Sequence, residues 1–199
     1  MQSKAHRIFP STGNVRALVT SLLCVLPMNG SAQPTRAEAA AKDTPRLEPQ
    51  VKAALLAKFL HYVQWPEQAL PKPGLPITIG FLGADPIATE LAGLISGGTY
   101  PIKGRPLAIK RSSRPDDLKN CQALFIPKSA SVDLKAILAI FQGSGVLIVS
   151  DMDRFAANGG MIGFRNNEGR IRFEINQAAV RKEGLRIGAD LLAMADQVK

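Results

Sequence analysis

Histidine, cysteine and the large aromatics are scarce in this sequence: two histidines, two cysteines, one tryptophan and two tyrosines among 199 residues. A bilayer-spanning helix needs about 20 consecutive apolar residues, and the most apolar early run, Ala17–Leu26, is shorter and stops at Pro27. It follows Arg7 and Arg16 and precedes small residues at Gly30, Ser31 and Ala32, the layout of a secretory signal peptide cleaved before Gln33. Cys24 follows Leu23, a bulkier neighbour than a lipid-attachment site usually allows. Removal of residues 1–32 leaves Cys121 as the one cysteine of an exported chain. An intramolecular disulfide is therefore excluded, and a small buried apolar side chain is the first reading of Cys121, with an intermolecular bridge or a reactive thiol as the alternatives.

Strong charge of one sign is also missing. The formal charge of +9 includes Lys4, Arg7 and Arg16 from the leader, so the mature chain carries +6. Its dense basic cluster, Lys103, Arg105, Lys110, Arg111 and Arg114, has only Tyr100 nearby as an aromatic. A nucleic-acid groove would interleave stacking residues with the cations, so a solvated face is the better reading and no nucleic-acid partner is expected.

The remaining 167 residues suit one domain. Residues 33–46 are polar and Ala-rich and read as a flexible linker. From Leu47, the residues Val51, Leu55, Phe59 and Val63, with Leu56 and Leu60 beside them, form an apolar helical stripe opposite Lys52, Lys58 and Gln64. That helix ends at Trp65-Pro66. A strand at Ile77–Leu82 leads through Gly83-Ala84-Asp85 into a helix whose Ile87, Leu91 and Leu94 should face inward. Strands at 106–110, 122–126 and 146–150 then alternate with a short helical turn at 115–119 and a helix at 132–141. Uninterrupted apolar strands alternating with helices require a parallel sheet covered on both faces.

Two β-rich runs then flank Asn166-Asn167-Glu168-Gly169, which predicts a hairpin with a bulged turn. Its second strand alternates, with Ile171, Phe173 and Ile175 on one face and Arg170, Arg172, Glu174 and Asn176 on the other. Asn176 stands ready to cap a helix from Gln177 that Gly184 stops, and a last helix from about Gly188 carries Leu191, Leu192 and Met194. The fold class is thus α/β: a single-domain three-layer sandwich over 47–199, with a mostly parallel sheet and a C-terminal antiparallel hairpin.

Catalytic sets are thin. His61 lacks an evident nucleophile or orienting acid, so no enzyme is expected. Asp151-Met152-Asp153 lacks the third oxygen ligand and the glycine of a calcium loop, and Gly80–Asp85 lacks the Lys-Ser/Thr pair and the glycine spacing of phosphate loops. Neither a metal nor a cofactor is therefore expected. A cleft at the carboxyl ends of the parallel strands, with Gly83, Asp85, Asp151 and Asp153 converging there, would suit a small molecule. Trp65 has two readings: it caps the core between the first helix and the sheet, or it forms a partner-facing patch with His61 and Phe155. The polar face of the hairpin, Arg170, Arg172 and Glu174, is a further candidate partner surface.

Several stretches together resemble the YfiR family of small exported bacterial proteins: Lys58–Pro66, Cys121–Ile126, Leu147–Asp151 with its loop to Phe155, Gly159–Ile162, Arg172–Asn176, and Gly184-Leu185 before Leu191-Leu192. The resemblance spans 47–197. It implies an α/β sandwich in the periplasm, often a homodimer, that represses an inner-membrane diguanylate cyclase by contacting its periplasmic part, and so controls c-di-GMP signalling. The best understood members have redox-responsive disulfides, which the lone Cys121 cannot reproduce within one chain. The resemblance thus implies a regulator rather than a catalyst, with a periplasmic small-molecule-binding protein as the alternative.

Overall fold

The structure is a computed structural model that describes residues 36–97 and 100–198, with side chains from Leu47 onward. The expected signal peptide, Cys24 and the first residues of the expected linker lie outside the described residues.

Helix α1 spans Arg36–Tyr62 and leads into the short strand β1, Val63–Gln64. Its start at Arg36 makes residues 36–46, read as a linker, helical, in keeping with the high helix propensity of their alanines. A 3₁₀ turn at Glu67–Ala69 follows, then β2 (Ile77–Leu82), α2 (Pro86–Ser96) and β3 (Leu107–Ser112). After a 3₁₀ turn at Pro115–Leu118 come β4 (Ala123–Ile126), α3 (Leu134–Ile140), β5 (Leu147–Ser150), β6 (Ile162–Asn167) and β7 (Arg170–Ile175). The chain closes with α4 (Gln177–Lys182), β8 (Arg186–Ile187), α5 (Ala189–Met194) and β9 (Gln197–Val198).

Seven strands form one sheet in the order β3-β2-β4-β5-β6-β7-β9, in which only β6 and β7 pair antiparallel, while β1 and β8 form a separate two-stranded ribbon. The mostly parallel sheet with its antiparallel flank is the expected architecture. Register places Phe81, Phe125, Val149, Ile162 and Phe164 on one face, because each is paired directly or two residues along from the next. Phe59 of α1 packs on this face, with ring centroids 5.5 Å from Phe164 and 4.8 Å from Phe173. On the other face Gly80 leaves room for Leu118 and the Cys121 sulfur, each 3.2 Å from where a Cβ would stand. Burial raises the Cys121 thiol above its ordinary value, which keeps it protonated and unreactive.

Two local devices act as the sequence predicts. Asp85 caps α2 by accepting from the Ile87 N–H at 2.8 Å, and Asn176 caps α4 by accepting from the Ala179 N–H at 3.0 Å. Other details differ. The hairpin turn has no bulge: Asn167 pairs directly with Arg170, and Glu168 (φ 52°) and Gly169 (φ 79°) form a tight two-residue loop of the type I′ class. Leu94, expected inside, is 43% exposed. The expected α1 stripe holds at Leu56, Phe59, Leu60 and Val63, all buried, and differs in its first turn. Val51 is exposed there, and Lys52, expected on the outer face, is buried.

Candidate cleft at the carboxyl ends of the strands

The chain runs from β2 to β3 on one side and returns to β4 on the other, so the parallel sheet reverses direction between β2 and β4. Such a switch point opens a crevice beyond the carboxyl ends of the strands. Asp85 follows β2, Lys128 follows β4 and Asp151 follows β5. All three line a hollow of about 300 Å³ together with Glu48, Lys52 and Ile87. A second hollow, about 510 Å³, shares Glu48, Lys52, Lys128 and Asp151 and extends along Arg154, Arg165 and Glu174.

β6 forms the far wall. Only Ile162 and Gly163 pair with β5, so the rest of the β6–β7 ribbon projects past the sheet. The Phe164 and Phe173 rings hold its base to α1.

Lys52 is the centre of the floor. Its ammonium lies 2.6 Å from Glu48 Oε1 and 2.6 Å from Asp151 Oδ2, and the side chain is nearly sealed. Burial alone would lower its pKa, but hydrogen bonds to Asp151 and Glu48 and their charges outweigh it and hold the ammonium above its ordinary value. Asp151 also accepts from the Lys128 backbone N–H at 2.7 Å through Oδ1, so one carboxylate ties α1 to the loop after β4. Ser150 donates to the Ile126 carbonyl at 2.7 Å and accepts from the Met152 N–H at 3.0 Å, which fixes the exit of β5. Asp85 is pushed above the usual carboxylate value, first by burial and also by the Asp151 charge, against its helix-capping bond and Lys52.

Among the described residues, Lys52 and Glu174 are the two buried charged residues, and both line the larger hollow with the nearly buried Asp151 side chain. A hollow of about 540 Å³ between α4 and α5 holds the exposed Arg181 and Arg186 but neither of these buried charges.

Of the residues singled out in the sequence, Asp85, Asp151 and Asp153 do converge on the cleft. Gly83 lies at the turn (φ 85°), but its N–H is donated to the Ser112 carbonyl and it lines neither hollow. The patch of His61, Trp65 and Phe155 is not assembled. Trp65 is a core residue, 8% exposed, whose indole N–H donates to the Gln122 carbonyl at 2.9 Å, near the amino end of β4. Phe155 is fully buried beyond the carboxyl end of β5, its ring filling the space where a Gly160 side chain would lie. His61 is exposed and meets the Tyr100 ring edge-on at 5.5 Å; thirteen residues of helix, about 20 Å, separate it from Glu48. On the hairpin, Arg170 and Arg172 are exposed, but Glu174 is 3% exposed and so is no surface residue.

Sequence reading missed Lys52, Glu48, Lys128, Arg154 and Arg165. A signal for the first two was present: Glu48 precedes Lys52 at the i,i+4 spacing of a helical ion pair, and Lys52 lies four residues before Leu56, in phase with the buried stripe.

Comparison with solved structures finds a conserved domain protein from Vibrio cholerae at TM-score 0.49 and 12% identity, the match covering 76% of this chain and 60% of that one. The ABC domain in complex with L-Trp from Streptococcus pneumoniae gives TM-score 0.45 and 14% identity, covering 64% of this chain and 56% of that one. The chain thus spans about 60% of the first of these structures and 56% of the second. A search of curated proteins finds no match. The model of the YfiR/HmsC-like family matches residues 49–196, which takes in α1 from Pro49, every strand of the large sheet up to β7, and both closing helices. The chain belongs to the YfiR/HmsC-like family.

Proposed function

We propose that this protein is a periplasmic regulator that binds a membrane signalling protein, a diguanylate cyclase by analogy with the family, and changes its output by binding one of its states more tightly than another. It acts as a regulator and not as a catalyst, and a homodimer is the form the family implies. The observation that carries the reading, beside the family match, is that both buried charged residues, Lys52 and Glu174, line one cleft walled by a projecting hairpin. Buried charge is costly to keep, and such charges cluster at functional sites as well as in structural ion-pair networks. No helix among the described residues is long and apolar enough to cross a membrane.

The test is made in cells. Loss of the protein should change the cyclic di-GMP level, and the tagged protein should retain a diguanylate cyclase from solubilised envelopes. An unchanged level together with no cyclase retained would overturn the reading. A second reading, a small-molecule binder, is favoured by the position of the cleft at the switch point of the sheet. A ligand for it would raise the melting temperature of the purified protein in proportion to its concentration.

A further inference from the structure

The hairpin carries a charge arrangement that its own stability does not require. Arg165 of β6 and Arg172 of β7 are direct cross-strand partners, so their side chains leave the same face side by side. Like charges in that position weaken a sheet. Neither guanidinium is neutralised at close range: Arg165 has Glu174 Oε2 at 3.5 Å and Arg172 has Asp196 Oδ1 at 3.9 Å, while both arginines stay about half exposed. A bidentate arginine–carboxylate pair closes to roughly 2.7–2.9 Å. Arg170, paired with Asn167, continues the same face and is exposed. Arg154, held at φ 55°, lines the larger hollow together with Arg165. Three arginines thus share one face of the hairpin, and one of them, Arg165, joins Arg154 in the adjoining hollow.

Resting on the regulator reading above, we infer that this arginine face, Arg154, Arg165, Arg170 and Arg172, is the docking surface for an acidic peptide segment of the protein partner. Charge complementarity sets the sign. The carboxylates that intersperse the cleft, Glu48, Asp153 and Glu174, set the class. They would repel a continuous polyphosphate or an anionic bilayer, whereas single acidic side chains on an extended segment can be placed between them. Concavity points the same way, since a segment of chain enters a hollow of about 510 Å³ and a flat membrane surface does not. The unspent donors of Arg165 and Arg172 then close bidentate pairs on the incoming carboxylates, and the cross-strand repulsion is relieved on binding.

The probe is a fluorescein-labelled decapeptide of alternating glutamate and serine, titrated at low ionic strength against the mature protein, with phosphatidylglycerol vesicles as the second probe. The expected result is peptide binding that weakens at least about tenfold in the Arg165→Ala/Arg172→Ala variant, and no binding to the vesicles by either protein. The Lys110→Ala/Arg111→Ala variant, on the opposite edge strand, should bind the peptide as the parent does. The melting temperature of Arg172→Thr, which leaves Arg165 beside the buried Glu174, should equal or exceed that of the parent, because the repulsive pair has been removed. Arg172→Thr alone, a change strands accept readily, should show a partial loss. The inference is overturned if the peptide does not bind, if both double variants lose it equally, or if vesicles bind and lose affinity in the arginine variant while the peptide does not. A cyclase still retained by the Arg165→Ala/Arg172→Ala variant would overturn this surface and leave the regulator reading standing. Peptide binding with no cyclase retained by the parent would do the reverse.

Discussion

Lys52 is where a single residue has the widest consequence. Its ammonium is the cation between Glu48 and the nearly buried Asp151, so an apolar replacement would leave carboxylates without their partner. Removing one member of a buried pair costs about 3–5 kcal/mol. Lys52→Met, which preserves most of the volume, should therefore lower the unfolding free energy from denaturant titration by that much; a loss below about 1 kcal/mol would show that solvent reaches the pair. The pH dependence follows from the direction of the shift. The folded value lies above the unfolded 10.5, so the contribution of Lys52 is complete below about pH 10.5 and is lost as pH rises through the folded value. Asp85 has the same sign of shift in a lower pH range. Its folded value lies above the ordinary 3.8, so the folded state holds the proton more tightly, and this contribution is lost as pH rises through the raised value. Asp85→Asn keeps an acceptor for the Ile87 N–H and removes the charge. It should melt at or above the parent temperature at pH 7, and that advantage should vanish below about pH 4, near the carboxylate's ordinary range; a lower melting temperature at pH 7 would show that the charge is favourable where it stands.

At the scale of elements, the hairpin shows how far residue types determine backbone. Glu168 occupies a left-handed position that the two-residue turn demands, which asparagine tolerates better than glutamate does. Glu168→Asn should stabilise the protein by a few tenths to about 1 kcal/mol in urea unfolding, and a destabilisation would mean that the Glu168 side chain makes a contact worth more than the strain. The strands on either side were legible because period-two alternation needs only local information. The bulge was misread because loop length depends on register, which the two strands settle together. The first turn of the α1 stripe departs from expectation for a related reason. Val51 and Lys52 are adjacent, both phases of the helix offer apolar residues at Leu55 and Leu56, and the choice is made by Asp151, ninety-nine positions away, which supplies the carboxylate that lets a lysine be buried. Phe155 and Glu174 were misplaced alike: the loop after β5 folds back over the sheet, so both are covered by chain whose path no local pattern encodes.

For the molecule as a whole, the sheet divides into a core and a projection. β2, β4 and β5 each have a strand on both sides, and their Ile79, Phe81, Leu124, Phe125, Leu147 and Val149 are fully buried. Beyond Gly163 and Glu174, β6 and β7 have only each other, and a two-stranded ribbon is marginal by itself. Its base is fixed by the rings of Phe164 and Phe173 on Phe59, while its end, from Arg165 to Arg172, carries three exposed arginines, of which Arg165 lines the larger hollow. Local opening free energy should therefore fall steeply along the ribbon. Amide hydrogen exchange should find the paired amides of residues 165–172 exchanging on the order of a hundredfold faster than those of β4 and β5, with those of Phe164 and Phe173 in between. Addition of the acidic decapeptide should slow the outer amides and leave the central strands unchanged, because a ligand protects the elements whose opening would release it. Protection of the ribbon equal to that of β4 and β5 in the free protein would show that it is as rigid as the core, and the docking surface would then be a preformed wall rather than one that orders as the partner arrives.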